Sequence, residues 1–464
     1  MLSGLLDLTL SAVSTKIAAG EVSPVELTRA MLARIAKRDG ELHSFSHPTP
    51  RSALDAALRA EREISAGHYR GALHGVPLAV KDLFWTADAP TAGGTAIFRD
   101  QRTPADATAV RRLREAGAVL LGKLQMTEGA YSDHHPSIIP PKNPWNPDYW
   151  TGISSSGPGV AVAAGLCFGA LASDTGGSIR WPSSACGVTG LKPSWGRVSR
   201  HGVLALAPSL DHVGVMARSV ADIAHLLSAV AGSDPLDATA VAEPLPDLTA
   251  PRELSGMMVG VDPTWNSVDV DAEVRAVLDS AIATMRHLGA PVVEVEVPDV
   301  TDAIADWPTN CAIEAAVVHE ATFPARAADY GPVLRSVLEH GRGIGGMDFQ
   351  KILLRRAALR GAFDRLLSEI DFLLCPVQPF APITLEMLGT MGERPDLIAR
   401  LQRYTCAFDM TGHPSLTLPG GSTSVGMPIG IQLVARHLRE DILIRAGNAY
   451  QAATSWHERR PPDA

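Results

Sequence analysis

Apolar and polar positions along the chain change their period several times, and each change marks an element. Residues 1–70 read as a helical segment. Ser23-Pro24-Val25-Glu26 supplies a hydroxyl cap, a proline at the first helical position and an acid in the first turn, followed by Leu27, Met31, Leu32 and Ile35 at helical spacing. Residues 52–64 continue as a polar, alanine-rich amphipathic helix. From Gly75 the rhythm shifts. Gly75 to Lys81 predicts a strand, 106–117 a helix ended by glycine, and 118–123 a second strand, which is the order of a βαβ unit and implies a parallel or mixed sheet.

Residues 128–150 predict a long loop, because Pro136, Pro140, Pro141, Pro144 and Pro147 stand too close together for a helix or central strand to run through them. An apolar run from Val160 to Ala172 is bracketed by two small-residue clusters, Ser154-Ser155-Ser156-Gly157 and Asp174-Thr175-Gly176-Gly177-Ser178. Residues 201–218 are loop-rich, 220–230 predict a helix, and 232–250, rich in Asp, Pro and Ala, read as a linker. Beyond it come a strand at 257–261, a helix at 271–288, a strand at 291–297 and a largely helical block at 312–370. Strands at 371–376, 415–418 and 429–434 and a closing helix at 441–453 complete an α/β pattern.

Composition narrows the class. The 464 residues are 46% hydrophobic and 20% charged, an ordinary globular balance with a large core available. Net charge is −9 without blocks of one sign, which argues against nucleic acid as a direct partner. Five cysteines are spread singly with no CxxC pair, as expected of buried thiols in a reducing compartment. Neither a secretory leader nor an apolar run of about 20 residues is evident, so the expected location is the cytoplasm, with no membrane contact.

The candidate chemistry lies in the glycine- and serine-rich clusters. Glycines let a backbone turn tightly, and in Thr175-Gly176-Gly177-Ser178 several N–H groups can converge beside the Ser178 hydroxyl to hold an oxyanion. A serine nucleophile needs a base, and no histidine follows until His201 and His212. Lys81, at the end of an apolar strand, is the alternative, since desolvation lowers an amine's proton affinity.

GVPLAVKD (75–82), the SSSG cluster, DTGGSIR (174–180) and CGVTGLKPSWGRVSRHGV (186–203) together resemble the amidase signature family of serine hydrolases. The similarity runs from about Leu8 to His437 and includes TGHPSLTLPGG and GMPIGIQLVAR. Three separated motifs occur in the family's order, with Ser154 and Ser178 at its 24-residue interval. The resemblance implies an α/β/α sandwich around a central open mixed sheet. Residues 71–464 would form the catalytic domain, with 300–370 as its helical specificity region.

It also implies that Ser178 is the nucleophile, Lys81 the base and Ser154 the relay between them, preceded by a cis peptide bond. The N–H groups of Thr175, Gly176, Gly177 and Ser178 would form the oxyanion hole. The chain departs from the family at Ile153, where a glycine usually precedes the relay serine; Ser155 is the fallback relay.

Around this frame, Asp174 and Arg180 are expected to form a buried ion pair that supports the loop, ahead of a substrate-carboxylate role for Arg180. Tyr131 and Ser155 are secondary candidates for substrate contact, and Trp307, Asn310, Cys311 and Glu314 are candidates within the specificity region. The expected activity is cleavage of a carboxamide of a small molecule to an acid plus ammonia or amine, with no cofactor and no metal, by a homodimer.

Two alternatives stand beside this. One is the A subunit of a glutamine-dependent aminoacyl-tRNA amidotransferase, although Gln402 stands where an acidic residue is expected in that protein. The other is a non-catalytic binding protein on the same fold. A Ser-His-Asp triad has only Asp211-His212 to offer and lacks a GxSxG elbow, while HExxH and Walker motifs are absent.

Overall fold

The computed structural model describes residues 2–249 and 253–462. Eleven strands form one sheet: β1 (Phe45–Pro48), β2 (Pro77–Lys81), β3 (Val119–Leu124), β4 (Gly169–Asp174), β5 (Thr189–Lys192), β6 (His212–Ala217), β7 (Val259–Val261), β8 (Val292–Glu294), β9 (Phe372–Pro376), β10 (Ser415–Ser422) and β11 (Pro428–Ala435). Their order across the sheet is β1-β3-β2-β4-β6-β5-β10-β11-β9-β7-β8. The pairs β2–β3, β2–β4, β7–β8 and β7–β9 are parallel and the rest antiparallel, so the sheet is mixed.

Helices cover both faces. Gly430 of β11 lies beneath Ser184 of helix Arg180–Cys186, while its neighbour Ile431 meets the side of Val277 in helix Ala272–His287 through the space over Gly420. Successive strand residues point to opposite faces, so these two helices lie on opposite sides of the sheet. All residues of β2, β3, β4, β5, β6, β9 and β11 are buried, as a sheet covered on both faces requires, and this explains their continuous apolar character.

Local signals explain several boundaries. Ser23 caps helix Pro24–Leu42 by accepting the Glu26 N–H at 3.1 Å, and Ser219 caps helix Val220–Val230 by accepting the Asp222 N–H at 3.2 Å. The apolar run expected after Val160 divides: helix Ser156–Ala163 holds its first part and β4 its last.

Three expectations need correction. The segment 1–70 is not wholly helical, since Phe45–Pro48 pairs with β3 and opens the sheet. The stretch 201–218, read as loop-rich, ends in the six-residue strand β6. The helical block begins earlier than residue 312, at Thr301, with Pro308 inside the first helix.

Candidate active site

β2 delivers Lys81 into the interior, where its ammonium end is fully buried. Lys81 Nζ lies 2.7 Å from Ser154 Oγ and 2.9 Å from Ser173 Oγ. Burial lowers the Lys81 pKa to about 7, against the opposing charges of Asp174 and Asp211. A substantial neutral fraction is therefore available near pH 7, able to accept a proton.

The Ile153–Ser154 peptide is cis. Gly152 has φ +78°, and a side chain there would strike the backbone of Pro182, so the turn before Ser154 is reserved for glycine. Ser155 is fully buried; its hydroxyl donates to the Ser173 carbonyl at 3.1 Å, and its N–H donates to the Ser178 carbonyl at 3.3 Å. It ties the three serine-bearing segments together.

Ser178 follows β4 in the turn that opens helix Arg180–Cys186 and is 6% exposed. Ser154 Oγ receives the Lys81 amine, and no hydrogen bond joins it to the Ser178 hydroxyl among the described residues. Asp174 organises the turn, accepting the N–H groups of Gly177 at 2.6 Å, Ile179 at 2.9 Å and Arg180 at 3.2 Å. The Gly177 N–H is thereby spent, which removes it from the four amides expected to form the oxyanion hole. Those of Thr175, Gly176 and Ser178 have no acceptor among the described residues.

Arg180 pairs with Asp174 through Nε at 3.0 Å and Nη2 at 2.9 Å, and both side chains are sealed from solvent. The same guanidinium reaches Asp409 at 2.5 Å, the Thr405 carbonyl at 2.9 Å and Gln432 at 3.2 Å, leaving no free edge for a substrate carboxylate. Burial alone would raise the Asp174 carboxyl, yet the guanidinium beside it holds it well below the usual carboxylate range. Asp409 is pushed well above its ordinary value by burial, and nearby Lys192 is lowered to about 7 for the same reason.

Aromatic groups wall the loop. Trp307 donates from Nε1 to the Thr175 carbonyl at 2.7 Å, and its indole stands 2.5 Å from where a Gly176 side chain would begin. Tyr131 stacks on Trp307 with ring centroids 6.0 Å apart and an 11° tilt. Cys406 contributes a thiol 3.6 Å from the Gly176 carbonyl. Asn310 and Glu314 instead serve packing: Glu314 accepts from Asn310 and from both the N–H and hydroxyl of Ser209, docking the 300–370 region onto the loop before β6.

Ser173, Asp409 and Gln432 were not singled out from the sequence. Ser173 directly precedes Asp174 and lies on the strand beside β2, so a register argument was the only signal that could have found it. His212 is buried with Nδ1 2.6 Å from the Leu210 carbonyl and does not touch Ser178, so no Ser-His-Asp triad forms. Among the described residues no cluster of three His, Cys, Asp or Glu side chains could hold a metal ion, and no helix is long and apolar enough to cross a membrane.

Comparison with known proteins places the chain in a family. The family model described as Amidase matches residues 26–444. The protein called "Putative amidase AmiD" of Mycobacterium bovis is 47% identical over 457 residues, covering 98% of this chain and 96% of the relative. The A subunit of glutamyl-tRNA(Gln) amidotransferase from Chloroflexus aggregans is 35% identical, covering 98% of each chain, so the amidotransferase alternative is not favoured. Among solved structures, the native peptide amidase from Stenotrophomonas maltophilia superposes with a TM-score of 0.82 at 29% identity, covering 98% of both chains. The chain belongs to the amidase family and is a hydrolase acting on amide carbon–nitrogen bonds.

Proposed function

We propose that Ser178 attacks the amide carbonyl, that Ser154 passes its proton to neutral Lys81, and that the N–H groups of Thr175, Gly176 and Ser178 hold the resulting oxyanion. The Oγ–C bond forms as the carbonyl π bond opens. The tetrahedral adduct then collapses with C–N cleavage, and the proton on Lys81 returns through Ser154 to the leaving nitrogen. Water then attacks the acyl carbonyl, its proton passing through Ser154 to Lys81; the Oγ–C bond breaks, that proton returns through Ser154 to Ser178 Oγ, and the carboxylic acid leaves with Ser178 and neutral Lys81 restored. The observation that carries this reading is the 2.7 Å contact of a sealed lysine with Ser154, with the lysine pKa lowered to about 7.

Tyr131 and Trp307 border the substrate in this reading, which favours carboxamides with an apolar or aromatic group near the scissile bond. Substrate choice is assigned to the helical region 300–370, because Trp307 belongs to it and touches the oxyanion loop. The five free buried cysteines fit a cytoplasmic enzyme, and a homodimer is the expected assembly.

A serine-directed fluorophosphonate followed by intact-protein mass spectrometry tests the nucleophile. One adduct on the wild type that is absent from Ser178→Ala supports it; an adduct retained by that variant overturns it. A panel of peptide amides, arylamides and short aliphatic amides then identifies the substrate.

A further inference from the structure

Asp211 lies in the turn before β6, 5% exposed, and its carboxylate is committed on both oxygens. Oδ1 accepts the Thr175 hydroxyl at 2.7 Å and the Ala207 N–H at 3.2 Å, while Oδ2 accepts the N–H groups of Leu206 at 3.0 Å and Ala207 at 3.2 Å. Thr175 is the first residue of the oxyanion loop, and its carbonyl is held from the other side by Trp307. Asp174 and Asp211 are also the two carboxylates whose charge reaches Lys81. Asp174 is neutralised at close range by Arg180, with which it forms a bidentate pair. Among the described residues no such pair neutralises Asp211.

We propose that Asp211 is a positioning residue of this reaction, holding the Thr175 end of the oxyanion loop and placing a second negative charge behind the Lys81 amine. The proposal rests on the reading of Lys81 as the base. One carboxylate thus serves both halves of the machinery, the loop by a hydrogen bond and the base by its field.

The charged and titratable groups that bear on Asp211 come from several elements. Arg200, His201 and Asp237 share with it a cavity of about 260 Å³. Glu314 and Cys311 approach from helix Thr301–Val318, and Lys81 from β2. Burial raises the Asp211 carboxyl to about 6, with the Thr175 hydroxyl and the Ala207 N–H pulling it down, Arg200 also lowering it and Glu314 raising it. It is therefore ionised above about pH 6, across the range where Lys81 loses its proton.

The test is the fluorophosphonate labelling rate as a function of pH for the wild type, Asp211→Asn, Asp211→Glu and Thr175→Val, each checked for folding by circular dichroism. Removing the charge lowers the proton affinity of Lys81, so Asp211→Asn moves the acid limb to lower pH by ~0.5 to 1 unit and cuts the plateau by ~10- to 100-fold. Thr175→Val keeps the charge and loses the hydrogen bond, so its plateau falls while its limb stays. Asp211→Glu keeps the limb near its wild-type position.

An Asp211→Asn limb at the wild-type position overturns the electrostatic half, because a merely structural aspartate would lower the plateau alone. A Thr175→Val plateau equal to wild type overturns the positioning half, and this arm decides the matter if Asp211→Asn does not fold. A folded wild type that takes no label overturns the Ser178 reading and this proposal with it, an outcome distinct from the others.

Discussion

The Lys81 amine stands 2.7 Å from the Ser154 hydroxyl although the two residues are 73 positions apart, and no water-accessible surface reaches either side chain. A proton moving between them stays inside the protein. Lys81 must be neutral to receive it, so labelling of Ser178 is expected to fall as pH drops through about 7. Lys81→Met should remove that limb and reduce turnover by ~10⁴-fold or more, read from the labelling rate and the amide panel.

Ser173 is the second acceptor for the Lys81 amine, at 2.9 Å. A hydroxyl that accepts from the lysine favours its charged form, so Ser173→Ala should move the acid limb of labelling to lower pH. With one of its two anchors gone the amine is also less well aimed, and a rate loss of ~10-fold is expected. Ser173→Thr should recover most of it.

Gly176→Ala would place a methyl group 2.5 Å from the Trp307 indole. The loop must shift, and the amide of residue 176 with it. Loss of ~100-fold or more in labelling is expected, the scale of one lost oxyanion donor, with thermal stability reduced less severely. Trp307→Phe keeps the ring and loses the bond to Thr175, so it should be the milder variant.

Asp174→Asn breaks a sealed ion pair and should destabilise the fold by about 3–5 kcal/mol in urea unfolding at pH 7. Because the Asp174 carboxyl is held low in the folded state, its contribution is present above the unfolded value near pH ~4 and is lost as pH falls further. The deficit of the variant should therefore narrow in acid.

Glu128 shows the opposite sign. It is 3% exposed, both its oxygens accept the Gly331 N–H, and burial raises its pKa to about 7. A raised carboxyl binds protons more tightly when folded, so stability is lost as pH rises from the unfolded value toward about 7. Glu128→Gln keeps an acceptor for Gly331 and should be more stable than wild type at pH 8, by ~2 kcal/mol, and nearly equal at pH 4. Thermal melts at the two pH values decide it.

Much of this was legible in sequence wherever the signal was local. The Ser23 cap, the βαβ rhythm around Lys81 and the helices Val220–Val230 and Ala272–His287 all follow from spacing within a few residues. What was missed depends on distant partners. Phe45–Pro48 is four residues long, with only Phe45 buried, and becomes a strand only because β3 lies beside it. β5 and β6 carry Gly190 and Gly214, which weaken a strand signal but suit the close packing of Ile179 over both. Asp409 and Gln432 join Arg180 across 229 and 252 residues, beyond any periodicity. Gly177 illustrates a different limit: glycine content marks a tight turn, yet which amides face outward depends on where Asp174 points.

The order in which the sheet is assembled has a bearing on synthesis. A ribosome makes Lys81, Ser154 and Ser178 together with β1 to β6 within the first 217 residues, whereas Thr405, Asp409 and Gln432, the remaining acceptors of Arg180, come some 190 residues later. Until they arrive, the guanidinium beneath the Ser178 turn has only Asp174 of its four partners, and β5 lacks its neighbour β10. The nascent chain thus carries Lys81, Ser154 and Ser178 in a frame whose later supports have yet to be made.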